Sequence, residues 1–308
     1  MNIRRMKWSI FLVLFCTAAG IFGIAFGPEK THAGEPAEYS AAITSAHQFR
    51  TDLDCGGRYD MSGIALRSSV TKPVTERVSV GFGLAYAYEE YDFKNPAFTM
   101  GVSPWSELHH VQGSFLYARM FDNQWKLTVS PSLGYAGESD ADTSDSLVWG
   151  GVVSFTKQVN PNLVIGAGIG YSDGVDKRSV MPVVMIQWDV SANLSLANTP
   201  STSPWGPAGL ELSYRIDDGW TIGTGVAWHE RRFRLDEDGF SPGGVGIISG
   251  VPGWLRISRS FSRGWNVDIY SGAVFSGEFR VEDAAGMWVT GTDCSTAPFI
   301  SGVVSISF

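Results

Sequence analysis

Val78-Ser79-Val80-Gly81-Phe82-Gly83-Leu84-Ala85-Tyr86-Ala87-Tyr88 is the stretch on which the fold turns. Successive side chains of an extended strand point to opposite sides. Val78, Val80, Phe82, Leu84, Tyr86 and Tyr88 therefore share one face, and Ser79, Gly81, Gly83, Ala85 and Ala87 share the other. A soluble sandwich turns its large apolar face inward and its charges outward. Here the second face is small and uncharged, which suits the inside of a curved barrel whose large apolar face meets lipid.

The same alternation recurs along the chain. Trp125, Leu127, Val129, Pro131, Leu133 and Tyr135 oppose Lys126, Thr128, Ser130, Ser132 and Gly134. Leu163, Ile165, Ala167, Ile169 and Tyr171 oppose Gly166, Gly168, Gly170 and Ser172. Leu210, Leu212, Tyr214 and Ile216 oppose Glu211, Ser213 and Arg215, and Trp220, Ile222, Val226 and Trp228 oppose Thr221, Gly223, Gly225 and Ala227. Trp125, Trp220 and Trp265 each open a strand after a short turn, whereas Tyr86, Tyr88, Tyr135, Tyr171 and Trp228 come near the far ends. A tilted strand crosses a bilayer in about nine to eleven residues, so the two sets read as aromatic girdles at the two membrane interfaces.

The connections alternate in length. Lys72–Glu76, Phe121–Gln124, Asn160–Asn162, Ser191–Asn193, Asp217–Gly219 and Ser262–Gly264 are short and rich in turn formers. The others, near 93–106, 137–145, 173–180, 199–206, 236–247 and 282–296, are longer. Short turns on one rim and long loops on the other are the outer-membrane pattern, with the long loops outside. The expected fold is all-β: one antiparallel transmembrane barrel of about fourteen strands, or twelve if the weakly patterned segments near 181–190 and 193–200 do not count. The last strand alternates Ile300, Gly302, Val304, Ile306 and Phe308 against serines and Val303, and a terminal Phe on such a face resembles the insertion signature of bacterial outer-membrane proteins.

The chain begins with Arg4, Arg5 and Lys7, runs apolar from Trp8 to Phe26, and reaches Thr31-His32-Ala33, the pattern of a secretory signal over residues 1–33 cut before Gly34. Phe15 is too large for a lipid-attachment box at Cys16. The domain then runs from 34 to 308. Without that segment 19 basic residues face 30 acidic ones, a net of −11, which argues against a nucleic-acid partner. No later segment approaches 18 consecutive apolar residues, as expected when strands rather than helices cross the bilayer. The expected location is the cell outer membrane, and the expected partners are its lipid, the barrel-insertion machinery during biogenesis, and small solutes.

Along most of this length the chain resembles an uncharacterised family of bacterial outer-membrane β-barrel proteins. The resemblance rests on Thr51-Asp52-Leu53 ahead of Gly56-Gly57, Pro104-Trp105, Gly166–Gly170 with Pro182 beyond it, Phe233-Arg234-Leu235, and the closing strand to Phe308. It implies fold and location, and no activity.

Cys55 follows the first strand and Cys294 precedes the last. Closing the barrel brings those strands together, so a disulfide across the seam is expected in an oxidising compartment, the alternative being two unrelated thiols. The alternation directs Arg67, Glu89, His110, Gln112, Gln187, Asp189, Glu211, Arg215, His229, Arg256, Asp268 and Glu278 toward the lumen, where charges of both signs pair across strands more often than they line a pore or catalyse. His109 and His110 point to opposite faces of one strand and form no joint metal site. Asp140, Asp142 and Asp145 could supply oxygen ligands to calcium, but an acidic solvated loop tip is the favoured reading. Gly166–Gly170 lies within a strand and reads as a smooth lumen wall, not a phosphate cradle. Arg231, Arg232 and Arg234 sit near the outside rim, where they meet either anionic lipid head groups or solvent. No cofactor and no enzyme activity are expected. A passive pore for small solutes comes first. A structural or surface-interaction barrel with a closed lumen is the alternative, and a lipid- or protein-modifying enzyme ranks third.

Overall fold

The computed structural model describes residues 36–206 and 208–308. The expected signal segment, residues 1–33, lies outside the described residues. Strands β1 (Glu38–Asp52), β2 (Arg58–Thr75), β3 (Val78–Lys94), β4 (Glu107–Met120), β5 (Trp125–Glu138), β6 (Leu147–Asn160), β7 (Leu163–Asp173) and β8 (Arg178–Asp189) pair in succession as antiparallel neighbours. They continue through β9 (Leu194–Asn198), β10 (Gly209–Arg215) and β11 (Trp220–Ala227). The rest are β12 (His229–Arg234), β13 (Val245–Ser260), β14 (Trp265–Glu282), β15 (Trp288–Cys294) and β16 (Ala297–Ser307). β11 and β12 pair with β13 in one unbroken register, as Val226↔Gly253 and His229↔Gly250 show, so they form one stave interrupted near Trp228. β15 and β16 likewise share a register on β14. β1 pairs with β16 and closes the cylinder, leaving fourteen staves.

The start of β1 and the end of β16 meet at one rim. Tyr39 and Phe308 exchange backbone hydrogen bonds of 2.8 and 2.9 Å, and their rings stack at 5.7 Å. The turns at this rim are tight, and three share a sequence form: Ile216-x-x-x-Trp220, Phe121-x-x-x-Trp125 and Phe261-x-x-x-Trp265. In each the first N–H donates to the Trp carbonyl, at 2.8 to 2.9 Å. Positive φ at Arg263 and Gly264 makes the last turn, and a Cβ at Gly264 would fall 2.0 Å from the Ser307 carbonyl oxygen, so only glycine fits. Trp125, Trp220 and Trp265 are exposed on the outer wall, and the first two have cations beside them, with Arg259 at 4.9 Å from the Trp220 ring and Lys157 at 5.5 Å from that of Trp125. One expected turn moves: Lys72–Thr75 stays in β2, and the chain reverses at Glu76-Arg77.

The wall has two zones along its axis. In the lower zone Phe82, Leu84 and Tyr86 face outward and exposed, against an inner face of glycine and alanine. Near the long-loop rim the inner positions of the same strand become Tyr91 and Phe93, both buried, while Glu90, Asp92 and Lys94 face out. An apolar-out wall suits hydrocarbon, and an apolar-in, charged-out wall suits water. About ten residues at roughly 3.3 Å each, tilted as barrel strands are, give the roughly 25 Å height of the lipid-facing belt. Among the described residues no helix is long and apolar enough to cross a membrane. The molecule is an outer-membrane β-barrel.

Two local departures shape the interior. The expected loop 282–296 is mostly strand: β15 continues the β14 hairpin past the rim, and only 283–287 turn. The stave formed by β9 is five residues long, so β8 above Ile186 has no strand neighbour on that side among the described residues. The carboxamide of Asn198 substitutes for the missing ladder. It accepts from Ile186 N–H at 2.8 Å and donates to Val184 O at 3.2 Å and Gly209 O at 3.4 Å. Above this notch residues 199–206 turn into the barrel instead of outward.

Candidate functional site, a plugged lumen

The lumen is filled at two levels. Beneath the long-loop rim, Trp105 packs edge-on against Phe93, Phe233 and Phe279 with ring centroids 5.2–5.4 Å apart. Leu108, Leu235, Val245, Ile247 and Val281 complete this layer, all within a percent of full burial. Loops lock it in place. The buried Glu138 carboxylate accepts from Ser106 N–H and Asp236 N–H, each at 2.9 Å, and so ties two long loops to β5.

The three arginines of the 231–234 segment belong to the same lid and meet neither lipid nor open solvent as their partners. Arg231 pairs with Glu89 inside the barrel. Arg232 holds Asp176 and Glu282. Arg234 donates to the backbone carbonyls of Asp145, Val175 and Gly243. Alternation along β12 sends Arg231 inward and its neighbour out, and the loops fold down over the outward pair. Burial pushes the Asp176 carboxyl up, but the hydrogen bonds and charge of Arg232 more than reverse this, so its pKa lies below the ordinary carboxylate value. Asp142 serves its own loop: its carboxylate accepts from Ser144 N–H at 2.7 Å and Ser144 Oγ at 2.6 Å, an Asx turn in the expected acidic tip.

The second plug is formed by the inward-folded residues 199–206. Thr199 Oγ1 donates to Gly206 O at 2.6 Å, and Thr199, Ser203 and Trp205 are buried. The Trp205 ring spans to the far wall, 5.0 Å from Phe299 on β16 and 5.3 Å from His229. Nothing in the local sequence marks Trp205 for this role, because the residue lies in a loop with no periodic context.

Most of the sequence-predicted lumen residues are brought together. Glu211 accepts from Arg256 Nε at 3.0 Å, Trp254 Nε1 at 3.0 Å and Ser213 Oγ at 2.8 Å, and Arg256 Nη1 also reaches Asp268 at 2.8 Å. Glu211 and Asp268 are almost wholly buried. This is the expected cross-strand pairing. Higher up, Arg67, Glu89, His110, Gln112 and His229 line one chamber of about 160 Å³ under the lid, together with Trp205 and Arg231. Gly134 and Gly150 close its wall, where a Cβ would fall 2.5 Å or less from a neighbouring strand's carbonyl oxygen. A second cavity of about 230 Å³ opens below, lined by Ser40, Ser69, Ser201, Thr202 and Ser305. Arg67 lines both.

Two expectations fail on geometry, the inward Glu278 and the disulfide, and three predicted residues lie away from the chamber. Glu278 points out of the barrel and pairs with Arg280 at 3.1 Å. A bulge between Ser249/Val251 and Phe275/Glu278, with Ser276 at φ 50°, shifts the register by one and exchanges the faces of β14. Asp189 and Arg215 lie exposed at the short-turn rim beyond the chamber, and Gln187 is half-buried below it. The expected disulfide is not formed: both cysteines are free. The seam pairs Cys294 with Leu53 rather than Cys55, and its sulfur is buried 3.7 Å from Tyr59 Oη while Cys55 stays exposed.

Nucleophile–base contacts of the kind an enzyme needs occur twice on the outside of the wall. His47 Nδ1 lies 2.9 Å from Ser62 Oγ, and His109 Nε2 lies 3.0 Å from Ser139 Oγ. In the second, the Ser139 hydroxyl also donates to Glu107, and the other His109 nitrogen meets Tyr86 Oη rather than a carboxylate. Neither has the oriented base of a triad. Among the described residues no cluster of metal-ligating side chains is present.

The model for a domain of unknown function, DUF6268, matches residues 63–238. Among curated proteins no sequence matches this chain. Solved structures that resemble it include an outer-membrane channel of the COG4313 group from Pseudomonas putida F1, at 10% identity and TM-score 0.46, covering 90% of this chain and 98% of that one. The toluene transporter TodX of P. putida aligns at 10% identity and TM-score 0.42, over 89% and 90% of the two chains. The translocator domain of the autotransporter NalP from Neisseria meningitidis aligns at 13% identity and TM-score 0.38, over 91% and 90%.

Proposed function

This chain belongs to the family defined by the domain of unknown function DUF6268, and from that premise we propose that it is a plugged outer-membrane channel for small solutes. The observation that carries the reading is the pair of stacked cavities sharing Arg67, one reaching toward the short-turn rim and the other ending beneath the lid. A barrel kept only as a structural cylinder gains nothing from a polar chamber walled by glycine and alanine. Filling it with apolar side chains would be more stable, since buried polar groups cost free energy unless paired. The lid and residues 199–206 are the barriers, and loop side-chain ties help to hold both, Glu138 to the amides of Ser106 and Asp236 and Thr199 to Gly206.

The test is planar-bilayer conductance of the protein extracted from outer membranes. The wild-type protein should give low, intermittent conductance. Replacing residues 201–206 by a two-glycine link, which removes Trp205 from the lumen, should raise it several-fold. Silence from both proteins, each shown folded by heat-modifiable migration, would overturn the channel reading in favour of a sealed structural barrel, the reading that the apolar layer under the rim favours.

A further inference from the structure

The chamber under the lid holds polar groups that the protein itself does not satisfy. His229 is 8% exposed, and neither of its ring nitrogens has a hydrogen-bond partner. His110 Nε2 is buried without a partner as well. Burying an unsatisfied polar group costs free energy, so such groups in a native interior call for an explanation. Both histidines line the same cavity, whose wall includes the small side chains of Ala65, Ala85 and Ala87.

Arg67 stands apart from the other interior arginines. Arg231, Arg232 and Arg256 each hold a carboxylate. Arg67 has one weak contact, a 3.5 Å approach to Thr44 Oγ1, and no carboxylate. Glu89 is matched by Arg231, so the chamber carries one uncompensated positive charge, and it lies at Arg67. A guanidinium with a free fork is suited to a planar carboxylate, which it binds through two parallel hydrogen bonds. The edge of Trp205 against His229 bounds the space with an aromatic ring. A cavity of about 160 Å³ takes a molecule of roughly benzene-ring size, since an engineered cavity of about 150 Å³ holds benzene.

We propose that this chamber is a binding site for a small organic acid, whose carboxylate is held by Arg67 and whose second polar group is hydrogen-bonded by His110 and His229. Neutral imidazoles offer both a donor and an acceptor, which fits a hydroxyl on the ligand. The proposal rests on the channel reading, in which the chamber is where the solute pauses between the two plugs.

The experiment is equilibrium dialysis of the detergent-solubilised full-length protein against 4-hydroxybenzoate, with 4-hydroxybenzyl alcohol as the uncharged counterpart. Saturable binding of the acid is expected, with the alcohol at least tenfold weaker. Arg67→Gln should weaken acid binding by about tenfold or more while leaving that of the alcohol unchanged, because only the charge-assisted contact is lost. His229→Phe should weaken both ligands. Arg215→Gln, an exposed cation at the short-turn rim, should change neither. Should His229→Phe fail to fold, Arg67→Gln decides alone, because that side chain makes only one long hydrogen bond. Equal binding of acid and alcohol, or acid binding indifferent to Arg67, overturns the site. The dialysis needs no ion flow, so conductance without binding sinks the site and leaves the channel. Binding without conductance does the reverse.

Discussion

Glu211 shows what single residues do in this lumen. Its carboxylate is buried and accepts three different donors, among them the Arg256 guanidinium. Removing Arg256 leaves the Glu211 and Asp268 carboxylates buried without their cation, and stranding a buried charge costs about 3–5 kcal/mol. Arg256→Met should lower the urea midpoint of the folded protein in vesicles accordingly, and Arg256→Met with Glu211→Gln and Asp268→Asn should recover much of the loss, because no charge is then stranded. A triple variant as unstable as the single one would mean that the cluster is supported by something other than pairing. Strand alternation alone places Glu211, Arg256 and Asp268 inside, since they occupy the small-residue face of their strands. Glu278 escaped that logic because a bulge changes parity without leaving a mark in the composition. The unsatisfied state of His229 was also out of reach, because it depends on what faces the ring from distant strands and a loop.

Among the elements, the five-residue β9 has the largest consequences. Its shortness leaves the upper half of β8 without a partner, and in hydrocarbon an unpaired backbone group costs several kcal/mol. Pro182 lacks the N–H that would need pairing there, and Asn198 caps the last ladder positions with its side chain. Asn198→Ala should destabilise the barrel by about 1–3 kcal/mol, the cost of leaving buried backbone groups unmet. It should also speed amide exchange at Ile186 selectively over residues of β4. Unchanged exchange at Ile186 would mean that water, not Asn198, satisfies the notch. The weak patterning near 193–200 did signal a short strand, but the inward turn of the following loop did not show in the sequence, because inward and outward loops have the same turn-forming composition.

At the scale of the whole molecule, barrel and lid are held by different forces. The wall is a closed ladder of backbone hydrogen bonds. The lid is joined to it by side-chain ties such as Asp176–Arg232 and Glu138 with the amides of Ser106 and Asp236. Asp176 has a depressed pKa in the folded state, so its contribution is present above the unfolded carboxylate value of about 3.9 and is lost as the pH falls through the folded value. Acidification from pH 7 to 5 should therefore leave the 174–177 loop protected from proteolysis. Below about pH 4 the loop should become cleavable while the barrel keeps its heat-modifiable migration. Loop release at pH 6, or barrel loss along with the loop, would contradict this separation of lid from wall.

The sequence alone determined the barrel, its lipid-facing belt, the rim at which the first strand starts and the last one ends, and the count of about fourteen staves. All of these follow from a period of two, turn chemistry and girdle spacing, which are local properties repeated many times. The tertiary structure decided that the lumen is plugged, that the 231–234 arginines bind the lid, that Glu278 faces out, and that Cys55 and Cys294 stay apart. Each of these depends on which side chains from distant strands meet across the cylinder. That is set by register, one bulge and the length of one short strand, and a shift of a single residue in any of them changes the answer.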